Sequence, residues 1–173
     1  STPVTCYLAK HGRLRAEREQ LAGWVVLAIF LKLGRSNKAG SVEVPMCGIT
    51  GFVDLRREQS EQGLISLARR MAATMAHRGP DDEGAWVDPK TGVALGFRRL
   101  SILDLTPAGH QPMISASGRS VLAFNGEIYN AEEIRPHLIE RGIVFRGHSD
   151  TEILLEHLEA FGFVQTLESI VGM

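Results

Sequence analysis

The sequence predicts an α+β domain built on antiparallel sheet. Three observations lead there. Short β-rich runs come early, helix-spaced runs are interspersed among them, and no regular βαβ rhythm links the two. The 173 residues suit one domain with a real core. Hydrophobic residues make up 44% and charged residues 23%, which excludes a disordered chain, a collagen or a disulfide scaffold. A net charge of -1 leaves no footprint for nucleic acid. With only Cys6 and Cys47, a reducing, cytoplasmic setting is expected.

The charge is unevenly spread. Residues 1–45 hold seven Lys/Arg and three Asp/Glu, and residues 46–173 hold twelve and seventeen. A boundary is therefore expected at Pro45–Met46. Within the first segment, Trp24 to Leu31 is one apolar run. It is far short of the roughly 20 residues of a membrane span, so no membrane role is expected. Its length suits a signal-peptide core, but Gly34 to Val44 offers no A-x-A cleavage site. A short buried strand or helix is the ordinary alternative.

From Met46 the elements follow in order. Cys47 to Val53 is small and β-branched, a buried strand. Leu64, Ala68, Met71, Ala72 and Met75 have helix spacing over 64–76. Gly79 and Pro80 make His77 to Asp82 a loop. Val93 to Ile102 reads as a strand, Thr106 to Pro112 as a loop, and Ser120 to Phe124 as a strand. Asn125-Gly126 after it is the usual signature of a hairpin turn. Residues 131–141 read as a helix, weakened by Pro136 unless that proline lies in the first turn. Ser149-Asp150-Thr151-Glu152 matches a capping box, and Ile153, Leu154, Leu158 and Phe161 give the helix after it an apolar stripe. Gly162 should end that helix.

Chemistry could sit at three places. Cys47 follows Met46, whose removal would leave an N-terminal thiol. Its α-amino group, with a pKa of roughly 7.7–8.0, could then take the thiol proton. An inert buried Cys is the alternative. The Asn125 amide and the Gly126 N–H could both point at one oxyanion. Arg99 offers a planar fork for a carboxylate, and Asp150 a counter-charge for an ammonium. Asp150 could equally serve the dipole of its helix. His77 could titrate near neutrality, but with Arg78, Gly79, Pro80 and Asp81 it reads as part of a rigid loop. No His, Cys and acid spacing suits a metal, and no phosphate loop is present, so no ATP site is expected here.

Five motifs occur in order: Met46-Cys47-Gly48-Ile49-Thr50-Gly51, His77-Arg78-Gly79-Pro80-Asp81, Arg99-Leu100-Ser101-Ile102, Asn125-Gly126-Glu127-Ile128-Tyr129-Asn130 and Ser149-Asp150-Thr151-Glu152. Together they resemble the glutaminase domain of glutamine-hydrolysing asparagine synthetase, a class II glutamine amidotransferase, over residues 46–173. The His-Arg-Gly-Pro-Asp form resembles that branch more than the glucosamine-6-phosphate synthase or amidophosphoribosyltransferase branches.

The resemblance implies a four-layer αββα fold of the N-terminal nucleophile hydrolase type. It implies that Cys47 attacks the side-chain amide of glutamine, with its own α-amino group as base. Asn125 and the Gly126 N–H would hold the oxyanion. Arg99 would bind the substrate carboxylate, and Asp150 with Glu127 its ammonium end. Ammonia would pass to a synthetase domain that uses ATP and magnesium to activate aspartate. The glutaminase part itself would need no cofactor and no metal.

Two departures from that pattern stand out. Cys47 follows Met46 and 45 residues before it, so its nitrogen is an amide and cannot act as base. Met46 as the true start, removal of a propeptide, or an inactive glutamine-binding form would each account for this. Met46 as the start is the favoured expectation, with 1–45 outside the functional domain. The segment Val171-Gly172-Met173 should lead into further strands in such a family, so a C-terminally truncated domain is expected. The parent would make asparagine, or would amidate another carboxylate, as on a polysaccharide precursor.

Overall fold

The structure is a computed structural model and describes residues 3–10, 13–22, 25–30, 47–101 and 106–172. The first three stretches are described as backbone: strands β1 (Pro3–Lys10), β2 (Arg13–Ala22) and β3 (Val25–Phe30). The apolar run thus takes the strand form over Val25–Phe30, while Trp24 and Leu31 lie outside the described residues. After Cys47 come β4 (Gly48–Val53), α1 (Glu61–Ala73), β5 (Asp82–Asp88), β6 (Val93–Arg99), β7 (Met113–Ile114), β8 (Ser120–Asn125), α2 (Ala131–Glu140), α3 (Asp150–Phe161) and α4 (Phe163–Ser169).

The strands form two sheets. One is antiparallel with β6 central, in the order β4-β6-β5. Its register sets Gly48 opposite Arg98, and Asp82 opposite Arg99. The other runs β2-β1-β3-β8-β7, with β7 antiparallel and β3 parallel to β8. The expected α+β class with antiparallel sheet therefore holds for β4-β6-β5 and for β7-β8.

Three apolar clusters explain why these residues adopt these elements. On one face of the β4-β6-β5 sheet, Ala94 meets Leu64 and Ala68 of α1, with Phe52, Ala85 and Val87 around them. Gly96 lets the helix approach closely there, because a side chain would meet the Ala68 carbonyl and the Ala72 methyl. On the other face Ile49, Val93, Leu95 and Phe97 join Val121 and Ala123 of β8. Phe97 is fully buried, a burial that contributes about 1.5–3 kcal/mol. The far side of β8, through Leu122 and Phe124, packs with Met113, Ile134, Leu138 and Ile153 to Leu155.

Several expectations are corrected. The strand from Val93 stops at Arg99 rather than Ile102, and Ile102 lies outside the described residues. Asn125-Gly126 is no hairpin, because the chain runs on through Ile128 into α2. Pro136 sits in the second turn of α2. Helix continuity survives because Ile134 and Leu138 anchor one face in the core while Pro136 faces out. Ser149 caps α3 by accepting the Thr151 N–H, but Glu152 does not reach back as a capping box would. It takes the Arg146 and Gly147 amides instead. Gly162, with φ of 80°, ends α3 as expected. Strands β1, β2, β5 and β7 and helix α4 were not foreseen.

Candidate active site

Cys47 lies directly before β4 and packs on the cluster between the two sheets. Its thiol is bracketed by the backbone of one residue, Leu100. The Leu100 N–H donates to Sγ at 3.3 Å, and the thiol faces the Leu100 carbonyl at 3.6 Å. The antiparallel register of β4 with β6 brings residue 100 there, one step past Arg99. Burial pushes the thiol pKa up, and the Leu100 N–H, the residue's own N–H and the Arg99 charge pull the other way. Cys47 is thus held as a thiol rather than a thiolate, and needs a base.

Arg99 is the last residue of β6 and is buried, although it is a cation. Its Nη1 donates to the Thr106 carbonyl at 3.2 Å. Gly109 packs directly on the guanidinium, where any side chain would collide with it. The loop 77–81 is bound to the same strand end. The Gly79 carbonyl accepts from Arg98 Nε at 2.9 Å, and the Asp81 N–H donates to the Arg99 carbonyl at 3.0 Å. A Cβ on Gly79 would lie 2.5 Å from the Arg98 carbonyl carbon, so only glycine fits. Asp81 then accepts the Ser101 N–H at 2.7 Å. Its charge acts on Cys47, opposing that of Arg99. His77 is exposed in this loop.

The remaining candidates gather at the end of β8. Asn125 closes the strand, and Gly126 and Glu127 follow, all half-buried. Asp150 is buried in the first turn of α3 and accepts the Ile128 N–H at 2.9 Å and the Thr151 N–H at 2.8 Å. Burial raises its pKa, the two amides oppose that, and the nearby Glu127 charge adds to it. Asp150 therefore ties the 126–128 bend to α3 as well as carrying charge. The bend is also held from its other side. Ile128 bridges Gly172, and the Tyr129 N–H donates to the Val171 carbonyl at 2.7 Å.

The candidates thus fall into two groups. Cys47 and Arg99 stand at the end of the β4-β6-β5 sheet, and Asn125, Gly126, Glu127 and Asp150 stand at the β8–α3 end. The cluster of Ile49, Leu95 and Phe97 with Val121 and Ala123 joins the sheets that carry them. Sequence reasoning gave Asp81 and Leu100 only as members of motifs, with no role of their own at the thiol. Among the described residues no group of His, Cys, Asp or Glu could hold a metal, and no helix is long and apolar enough to cross a membrane.

Fold and site together define an α+β domain with a candidate cysteine nucleophile at the start of an antiparallel sheet. Residues 46–173 match the glutamine amidotransferase domain family, and the chain belongs to that family. It is 38% identical over 128 residues to asparagine synthetase [glutamine-hydrolyzing] 2 of Bacillus subtilis, covering 74% of this chain and 16% of that protein. It is 40% identical over 114 residues to the third such synthetase of the same organism, covering 64% and 17%. A putative asparagine synthetase of Mycobacterium tuberculosis H37Rv is 39% identical over 139 residues, covering 74% and 21%. The chain therefore spans about a fifth or less of the length of these relatives.

Proposed function

We propose that residues 46–173 hydrolyse glutamine to glutamate and ammonia, as the ammonia-supplying part of an asparagine-forming enzyme. The observation that carries this is the setting of Cys47. It is the second residue of the matched segment, its thiol faces the Leu100 peptide, and the Arg99 charge reaches it. A four-layer αββα arrangement is part of the proposal. The three apolar clusters support it, since each joins one neighbouring pair of layers.

In the proposed reaction, the Arg99 fork binds the α-carboxylate of glutamine. Glu127 and Asp150 bind its ammonium. Asp150 accepts two amide N–H groups and keeps lone pairs free for a third donor. The α-amino group of Cys47 takes the thiol proton while sulfur bonds to the side-chain carbonyl carbon. Charge moves onto the oxygen, which the Asn125 amide and the Gly126 N–H stabilise. The C–N bond then breaks, and the proton held by the amine leaves with ammonia. Water adds to the thioester, giving glutamate and restoring the thiol. No step on residues 46–173 uses ATP or magnesium. In this proposal both belong to the remainder of the parent enzyme, and the setting is cytoplasmic.

The amine exists only if the bond between Met46 and Cys47 is cut, so cleavage is the direct test. The full chain is folded with a protease site ending at residue 46, and glutamate release is measured before and after cutting. Activity should emerge on cutting and be absent from the cut Cys47→Ala chain. An inert cut chain rejects the proposal, and equal turnover by the uncut chain rejects the amine as base.

A further inference from the structure

We infer that Gln111 is a positioning residue, whose side chain sets the end of β8 against the start of α3 and so fixes the two sides of the glutamine site. This rests on the glutaminase proposal above. Gln111 is only 5% exposed, although it lies in a loop and is polar. Its Oε1 accepts the Phe124 N–H at 2.7 Å, and its Nε2 faces Thr151 Oγ1 at 3.4 Å. Phe124 immediately precedes Asn125, and Thr151 immediately follows Asp150. One amide group therefore touches the neighbours of both the proposed oxyanion donor and the proposed ammonium binder.

The ladder of β7 and β8 explains why a side chain is needed. Strand β7 is two residues long and pairs Met113 with Leu122 and Ile114 with Val121. It ends before it can serve Phe124. Gln111 supplies the missing acceptor with its side chain, as the next residue of a longer strand would with its backbone. Its own carbonyl is pressed against Gly84 of β5, where a Cβ would collide with it. The residue thus has the other sheet behind it, β8 beside it and α3 ahead of it.

A hydrogen bond that fixes an oxyanion donor acts mainly in the transition state, so its loss should lower kcat more than it changes KM. The test uses the folded full chain cut before Cys47, as parent, Gln111→Asn and Gln111→Glu. Asn keeps the amide but is one methylene too short for the Phe124 N–H. Glu keeps the reach and the acceptor, and the Thr151 hydroxyl can turn to donate to it. The Asn chain should lose about 10- to 100-fold in kcat with KM within about three-fold, in line with the cost of a misplaced donor. The Glu chain should stay within about five-fold of the parent in kcat. Its Phe124 amide should remain as protected from hydrogen exchange as the parent's. Should the Asn chain fail to fold, the Glu chain still decides. A Glu chain as slow as Cys47→Ala, or an Asn chain as fast as the parent, overturns the inference. A parent inert on glutamine overturns the glutaminase proposal and this inference with it.

Discussion

A buried cation and a partly buried thiol at the site are chemically unusual, and each makes a prediction at the scale of one residue. Arg99 is buried with its guanidinium laid on Gly109 and one N–H on the Thr106 carbonyl. A planar guanidinium fork is the shape that suits a carboxylate. Arg99→Ala should raise the glutamine KM of the cut chain about 10- to 100-fold, the worth of a charge-assisted pair of about 1.5–3 kcal/mol. Arg99→Lys should recover little, because a point charge cannot reproduce the fork. Steady-state kinetics on the three chains decides this, and an unchanged KM removes Arg99 from the carboxylate site. Cys47 gives the second prediction. Burial raises its thiol pKa, so at neutral pH the uncut chain holds a protonated, slow nucleophile. Alkylation by iodoacetamide should climb with pH and reach half its limit above the ordinary thiol value of about 8.5. A midpoint below that value would mean that Arg99 and the Leu100 N–H outweigh burial.

At the scale of one element, helix α3 does more than offer Asp150. Three further carboxylates stand at helical spacing along it, Glu152, Glu156 and Glu159, and each holds neighbouring chain. Glu152 is 1% exposed and accepts the Arg146 N–H at 2.9 Å, Arg146 Nε at 3.0 Å and the Gly147 N–H at 3.0 Å. Glu156 accepts the Ala116 N–H at 2.8 Å. Glu159 takes Ser117 Oγ and Arg119 Nη2, both at 2.7 Å, and Ser120 Oγ. Glu152→Ala strands two amides, so it should lower the unfolding free energy by about 2–6 kcal/mol, at about 1–3 kcal/mol per orphaned group. Urea unfolding measures this, and a loss under about 0.5 kcal/mol would mean that water replaces the carboxylate. The same residue shows where local pattern reading stops. Ser149-x-x-Glu152 predicts a capping box from spacing alone. Spacing does not reveal that residues 146–147 approach as competing donors. The helix itself was legible because cap, stripe and terminal glycine all agree. Strand β5 was not, because its burial alternates imperfectly and its Asp82–Asp88 sequence is half polar.

At the scale of the whole molecule, what reads most plainly is the set of segments that must meet, because the chemistry concentrates in short motifs. What joins them is less visible. Gln111 holds β8 to α3 through a side chain in a loop, and no periodicity marks such a residue. The pairing of β3 with β8 was equally hidden. The apolar run left strand and helix both open, and a partner 95 residues away leaves no local trace. That pairing carries a prediction. Residues Val25 to Phe30 lie in register against Ser120 to Asn125, so β3 supplies one whole edge of β8. Both faces of β8 are already buried, by Val121 and Ala123 on one side and Leu122 and Phe124 on the other. A chain that begins at Cys47 keeps those faces but lacks β3, which leaves an apolar strand with a row of unpaired N–H and C=O groups. Such an edge recruits another strand. The shortened chain should therefore self-associate as its concentration rises, whereas the chain cut before Cys47 with β1–β3 still in place should not. Sedimentation velocity on the two forms separates these cases. A shortened chain that stays monomeric at every concentration would mean that the β8 edge is closed without β3. The boundary proposed at residue 46 would then be a boundary of folding as well as of function.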